Sequence, residues 1–167
     1  NILWLESNKA GIGTESPMNR LQINQAGTDG DDGLLIVCSD TSIGLNQKLG
    51  GIGFDSSDGN IPSSIYEASV YIAAYASEAQ GTGSKGGYLT FGTAATGTAD
   101  DTVSTERMRI TAGGNVGIGT TNPGNTKLKV IGNYGYEGIY VDTSAGGLIG
   151  VNVKGNSSIG SDQIGFY

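Results

Sequence analysis

Sixteen carboxylates and no histidine bound the chemistry open to this chain. Without histidine there is no Ser-His-Asp or Cys-His arrangement, and most zinc sites are ruled out. Carboxylate chemistry remains: two Asp or Glu side chains converging on a glycosidic bond could hydrolyse it. The acidic residues, however, fall in turn-like clusters: Asp29-Gly30-Asp31-Asp32-Gly33, Asp55 with Asp58, and Asp100-Asp101. Such clusters read as solvated turns. Asp29 to Asp32 with Asp40 suggests a calcium loop. Counting from Asp29, the fifth position is Gly33 and the sixth Leu34, where that loop needs an oxygen ligand and then glycine. The pattern fails, and a non-standard ion site is the weaker alternative. No catalytic, cofactor-binding or metal-ligating residue is assigned, and no cofactor is expected.

Four further features are weighed the same way. Gly81-Thr82-Gly83-Ser84-Lys85-Gly86 spells a dinucleotide-binding phrase. A strand-like run, Tyr88 to Phe91, follows where a helix should open, so a surface loop is expected. Cys38 has no partner in the chain and closes the run Leu34-Leu35-Ile36-Val37, which reads as a small buried thiol. The tyrosines are the best surface candidates, because exposed aromatics stack on sugars and anchor interfaces. Tyr134, Tyr136 and Tyr140 surround a glycine-rich stretch, and Tyr66, Tyr71 and Tyr75 lie mid-chain. Packing between strands is their simpler role. Asn156-Ser157-Ser158 is a formal glycosylation sequon with meaning only in a eukaryotic secretory setting.

The elements that must position these residues come from a phrase used twice. Gly11-Ile12-Gly13-Thr14-Glu15-Ser16-Pro17 leads to Leu21-Gln22-Ile23. Gly117-Ile118-Gly119-Thr120-Thr121-Asn122-Pro123 leads to Leu128-Lys129-Val130. Internal repeats dictate architecture before single residues do. The glycines allow a sharp bend or close backbone approach, and the proline ends ladder pairing. The motif predicts a corner plugged by Ile12 or Ile118, with the Leu-x-Ile/Val pair facing inward on the next strand. The corner residues are Gly11, Ile12, Gly13, Thr14 and Pro17, and Gly117, Ile118, Gly119, Thr120 and Pro123. Similarity continues through Gly33 to Ser39 against Gly138 to Ser144, and Gly51 to Phe54 against Ile164 to Phe166. The chain thus divides into a first β repeat unit (1–54), a β-rich insertion (55–113) and a second β repeat unit (114–167).

Strand signals dominate: Leu3 and Leu5 around Trp4, Met108 and Ile110 between Arg107 and Arg109, Tyr88 to Phe91, and Ile149 to Val153. Met108 and Ile110 predict a half-buried strand with a cationic outer face. Ile65 to Ala79 alternates as a strand, with a helix as the alternative. Glycine fills 30 of 167 positions, far above the usual ~7%. A chain so poor in large side chains has little to bury by itself, so burial between chains is expected. Net charge −7 disfavours nucleic acid and anionic membranes, and no run is long and apolar enough for a transmembrane helix.

Glu106-Arg107-Met108-Arg109-Ile110, Gly114-Asn115-Val116-Gly117-Ile118-Gly119-Thr120, Pro123 and Leu128-Lys129-Val130 resemble the repeats of bacteriophage tail fibres and tailspikes. The first copy departs, with Asn8-Lys9-Ala10 for Gly-Asn-Val. The resemblance implies an all-β, elongated, repetitive homotrimeric fibre, an intertwined triple β-helix or β-prism, with a small β-domain in the insertion. It implies a virion tail fibre or surface location outside the cell, and partners among other fibre proteins and a host-surface glycan or protein. The implied role is host attachment. The alternatives are a tailspike polysaccharide depolymerase and a purely architectural shaft, virion-surface or extracellular filament subunit. Many family members end in a self-cleaving chaperone domain. Nothing in this chain resembles one, so a fragment upstream of it or a trimmed product is expected.

Overall fold

The computed structural model describes residues 3–6, 8–24, 33–57 and 61–132. Expectations for residues 29–32, 58, 134, 136, 140, 142–144, 149–153, 156–158 and 164–166 lie outside these. The chain divides into two compact units, residues 1–129 and 130–167. Both sheets belong to the first unit, apart from Val130 at the end of the last strand.

Among the described residues the chain is all-β, in two sheets. The smaller sheet orders β1 (Trp4–Glu6), β2 (Lys9–Ile12) and β3 (Leu21–Ile23). The larger orders six strands as they come in the chain: β4 (Lys48–Phe54), β5 (Val70–Ala76), β6 (Gly87–Thr93), β7 (Thr105–Ile110), β8 (Val116–Ile118) and β9 (Leu128–Val130). Pairing is antiparallel from β4 to β8. Among the described residues no helix is long and apolar enough to cross a membrane.

Residues 65–79 resolve as a turn and then β5, not a helix, because their alternation is of period two. The odd positions carry the core cluster, where Tyr71 and Ala73 are buried with Tyr66 packed above them and Ile65 and Tyr75 beside, and Ala76 is buried at the strand's end. Facing positions on neighbouring strands complete this side. Tyr71 faces Gly92, Ala73 faces Thr90, Tyr75 faces Tyr88, and Thr90 faces Arg109. On β4, Gly51 and Gly53 let residues 61–69 lie directly on the sheet: a Cβ on Gly51 would meet Ile72 O at 2.5 Å and Ile65 Cδ1 at 2.6 Å. Ser104 fastens this cover, its N–H donating to Tyr66 O (2.8 Å) and its hydroxyl to Ala68 O (2.7 Å).

The rings form a ladder. Tyr66 meets Tyr71 edge-on at 5.3 Å, and Tyr75 stacks on Tyr88 at 5.1 Å. Lys48 Nζ lies 3.7 Å from the Tyr66 centroid, and the Arg109 guanidinium 4.5 Å from that of Tyr88. Tyr66, Tyr71 and Tyr75 thus take the simpler role read for them, packing between strands. The cationic face expected outside β7 is corrected. Arg109 turns onto the tyrosine side, where Glu106 accepts from its Nε and Nη2 at 2.6 and 2.7 Å.

Burial raises the phenol ionisation of Tyr66, Tyr71, Tyr75 and Tyr88 above the ordinary 10.0. The folded state therefore holds these protons where the unfolded chain releases them. The stability this contributes is whole below pH 10 and drains as pH climbs above it. Urea midpoints should be flat up to pH 9 and fall above pH 10, with tyrosinate absorbance at 295 nm rising together with unfolding. The Tyr66 hydroxyl is buried without a partner in hydrogen-bonding geometry, although the Tyr75 phenol is close enough to perturb its ionisation. Tyr66→Phe should leave the urea midpoint at pH 7 unchanged or raise it, since an unpaired buried hydroxyl costs about 1–3 kcal/mol.

Candidate functional site

Both copies of the repeated phrase build the same corner. A strand forms a hairpin with the phrase's own strand, Trp4 opposite Gly11 in the first copy and Arg109 opposite Gly117 in the second. The chain then bends at a glycine of positive φ, Gly13 (73°) or Gly119 (69°). Thr14 Oγ1 accepts from Ser16 N at 3.2 Å, and Thr120 Oγ1 from Asn122 N at 3.1 Å. The chain returns beside the strand it left, with Ala10 N donating to Arg20 O (2.7 Å) and Val116 N to Lys127 O (2.8 Å). In the first copy β2 and β3 run parallel across residues 13–20 alone, fewer than the dozen or more a parallel crossover usually takes.

The central glycine makes so short a return feasible. The crossover lies flat on it: a Cβ on Gly11 would sit 2.5 Å from Thr14 O, and one on Gly117 2.5 Å from Thr120 O. Pro17 and Pro123 are buried in the same return. The residue two before each glycine-isoleucine pair ties the return down. Lys9 Nζ donates to Pro17 O (2.9 Å) and Asn115 Nδ2 to Gly124 O (2.7 Å). The first copy's departure from the phrase thus keeps the contact while changing the donor.

One expectation is overturned. Ile12 and Ile118 do not plug the corner: they are 38% and 40% exposed. Nor do both members of the next pair face inward, since Leu21 and Leu128 are 59% and 52% exposed. The glycine side is already filled by the crossover, so alternation sends these isoleucines and leucines to the opposite face. Glycine and proline plug the corner, and the isoleucine is what it presents.

That opposite face is apolar across the large sheet. Ile52, Ile72, Phe91, Met108 and Ile118 stand in one cross-strand row. Ala74, Leu89, Ile110 and Val116 form the next. Residues 33–37 lie off the ladders, and Ile36 rests against Gly50. Cys38 is only partly covered, beside a groove of about 410 Å³ that Asp40, Leu49 and Lys85 also line. The buried thiol read from the sequence is corrected, because the run before it joins no sheet.

Asp40 and Asp55 stay at the surface. Asp55 accepts from Ser56 N (2.8 Å) and from Ser69 N and Oγ (3.0 and 2.9 Å), and these bonds hold its carboxyl below the ordinary range. Gln47 and Ser42 do the same for Asp40. Asp55, Glu67, Asp100 and Asp101 line a cleft of only about 30 Å³. A glycosidase acid needs the reverse, a carboxyl held high. Among the described residues no three acidic or thiol groups are placed to share a metal ion. Residues 81–86 close on themselves, Gly81 and Ser84 exchanging backbone bonds at 2.9 and 3.1 Å, as a surface loop would. Tyr134, Tyr136 and Tyr140 lie outside the described residues. The apolar face is what sequence reasoning missed. The signal was present in the alternation of glycine with Ile52 and Phe54 along β4. No protein-family model matches the chain, and no curated protein does.

Proposed function

We propose that this chain is a segment of a virion fibre, acting as a homotrimer that carries or forms the surface attaching to a host glycan or protein. The observation that supports it most is the corner built twice to one geometry, each time leaving an isoleucine of an apolar face uncovered. Units of this kind serve repetitive shafts, where each buries its face against neighbours. The phrase that resembles those of phage fibres occupies both corners, and Asp40 and Asp55, both held below the ordinary range, do not suit the acid of a depolymerase. Binding would draw on three-fold avidity more than on one deep pocket.

The test is a glycan array and whole-cell binding assay with the intact oligomer and with single chains separated by heating in strong denaturant and returned to buffer at high dilution. Retention by the oligomer at least tenfold above the dispersed chains is expected. Equal and negligible retention on every bacterial surface tried would remove the adhesive role and leave an architectural shaft.

A further inference from the structure

Resting on that reading, we propose that copies of this chain meet through the apolar face of the large sheet together with the uncovered segment Leu34–Val37. The occupant of this surface is another copy of the chain.

The face has the size and chemistry for it. Neighbouring strands stand about 4.8 Å apart, so a row from β4 to β8 spans roughly 19 Å. An added peptide would cover about one strand's width of that, whereas a second sheet covers all of it. The two rows from Ile52 to Ile118 and from Ala74 to Val116 contain no charged residue. Arg107 marks the rim, its Nε donating to Thr93 Oγ1 at 3.1 Å. Copies of net charge −7 repel one another, and a face without charge adds nothing to that repulsion. Leu34 to Val37 extend the surface: four apolar side chains, Leu35 83% exposed, in a stretch outside both sheets.

The repeat identifies the partner. The small sheet shows the same face in the same register, with Leu5, Ala10 and Leu21 in one row and Ile12 with Ile23 in the next. Leu5, Ile12 and Leu21 on it are all exposed, as is Leu3 just before β1. A partner covering both sheets must itself carry two apolar sheet faces at this spacing along its chain. A second copy does so by construction, and copies set parallel and in register around a three-fold axis would each turn this same face toward the axis.

The test substitutes exposed positions, so that a single chain tolerates the change and a contact between copies does not. Ile52→Glu with Ile118→Glu should lower the mass by light scattering from the oligomer to 17.0 kDa, with the strand signal in circular dichroism kept. Val103→Glu, exposed but in a loop off both sheets, should leave the oligomer intact. An oligomer unchanged by the double substitution, or dissolved equally by Val103→Glu, would overturn the face while leaving the oligomer reading standing. An unsubstituted chain that is monomeric would overturn both. Should the double variant not fold, maleimide labelling decides, in a Cys38→Ser background. Ile52→Cys should react at least tenfold more slowly than Val103→Cys in the native oligomer, and equal rates would overturn the face.

Discussion

Gly117→Ala is expected to lower stability by about 1–3 kcal/mol, the usual cost of forcing atoms into filled space, and Gly11→Ala to do the same. Alanine would place its Cβ 2.5 Å from the carbonyl oxygen of Thr120 or Thr14. The obstacle is backbone, which cannot swing aside as a side-chain end can. The crossover must lift off the strand, and the lift breaks the bond from Val116 N to Lys127 O or from Ala10 N to Arg20 O. Gly44→Ala is the control: nothing lies within 4 Å of its would-be Cβ. Its effect should stay within about ±0.5 kcal/mol. Urea titration followed by Trp4 fluorescence and far-UV circular dichroism reads all three. If Gly117→Ala were as mild as Gly44→Ala, the flat crossover would not be what holds the corner.

The second large effect lies under the tyrosine ladder. Tyr71 is 3% exposed, and its ring occupies the space where Gly92 would carry a Cβ. The two are cross-strand partners, so the ring substitutes for the side chain that glycine lacks. Tyr71→Ala should cost about 3–5 kcal/mol, as deletion of a large buried ring does. Gly92→Ala should cost about 1–3 kcal/mol by pushing that ring against Tyr66. The double variant should cost clearly less than the sum, because the methyl enters space the ring has vacated. Additive costs in urea titrations would mean that ring and glycine do not share that space.

Much of the fold was legible in the sequence. Period-two alternation gave away β5, β6 and β7, and the doubled phrase gave away the corners, down to the bend at Gly13 and Gly119. What failed was the assignment of sides. Ile12 and Ile118 are flanked by glycines, and in a strand the larger residue is ordinarily taken as the buried one. Here the glycine side is filled by the chain's own return path, a tertiary fact that no local pattern carries. Arg109 misled for a similar reason. Its cover comes from Tyr88 on the neighbouring strand and its counter-charge from Glu106, so a residue read as solvated is half-buried. Leu34 to Val37 has the composition of a buried strand and lies outside both sheets. Composition does not tell such an uncovered run from a buried strand.

The proposal of a multi-chain fibre rests on the apolar face, the repeat, the glycine content and the fibre resemblance together. The measurement that bears on this most directly is the mass of the unsubstituted protein by light scattering after size exclusion, with an unboiled SDS gel beside it. The account predicts about 51 kDa, three chains of 17.0 kDa, and a band that survives SDS and collapses on boiling. A folded species of 17 or 34 kDa that SDS separates at once would contradict it.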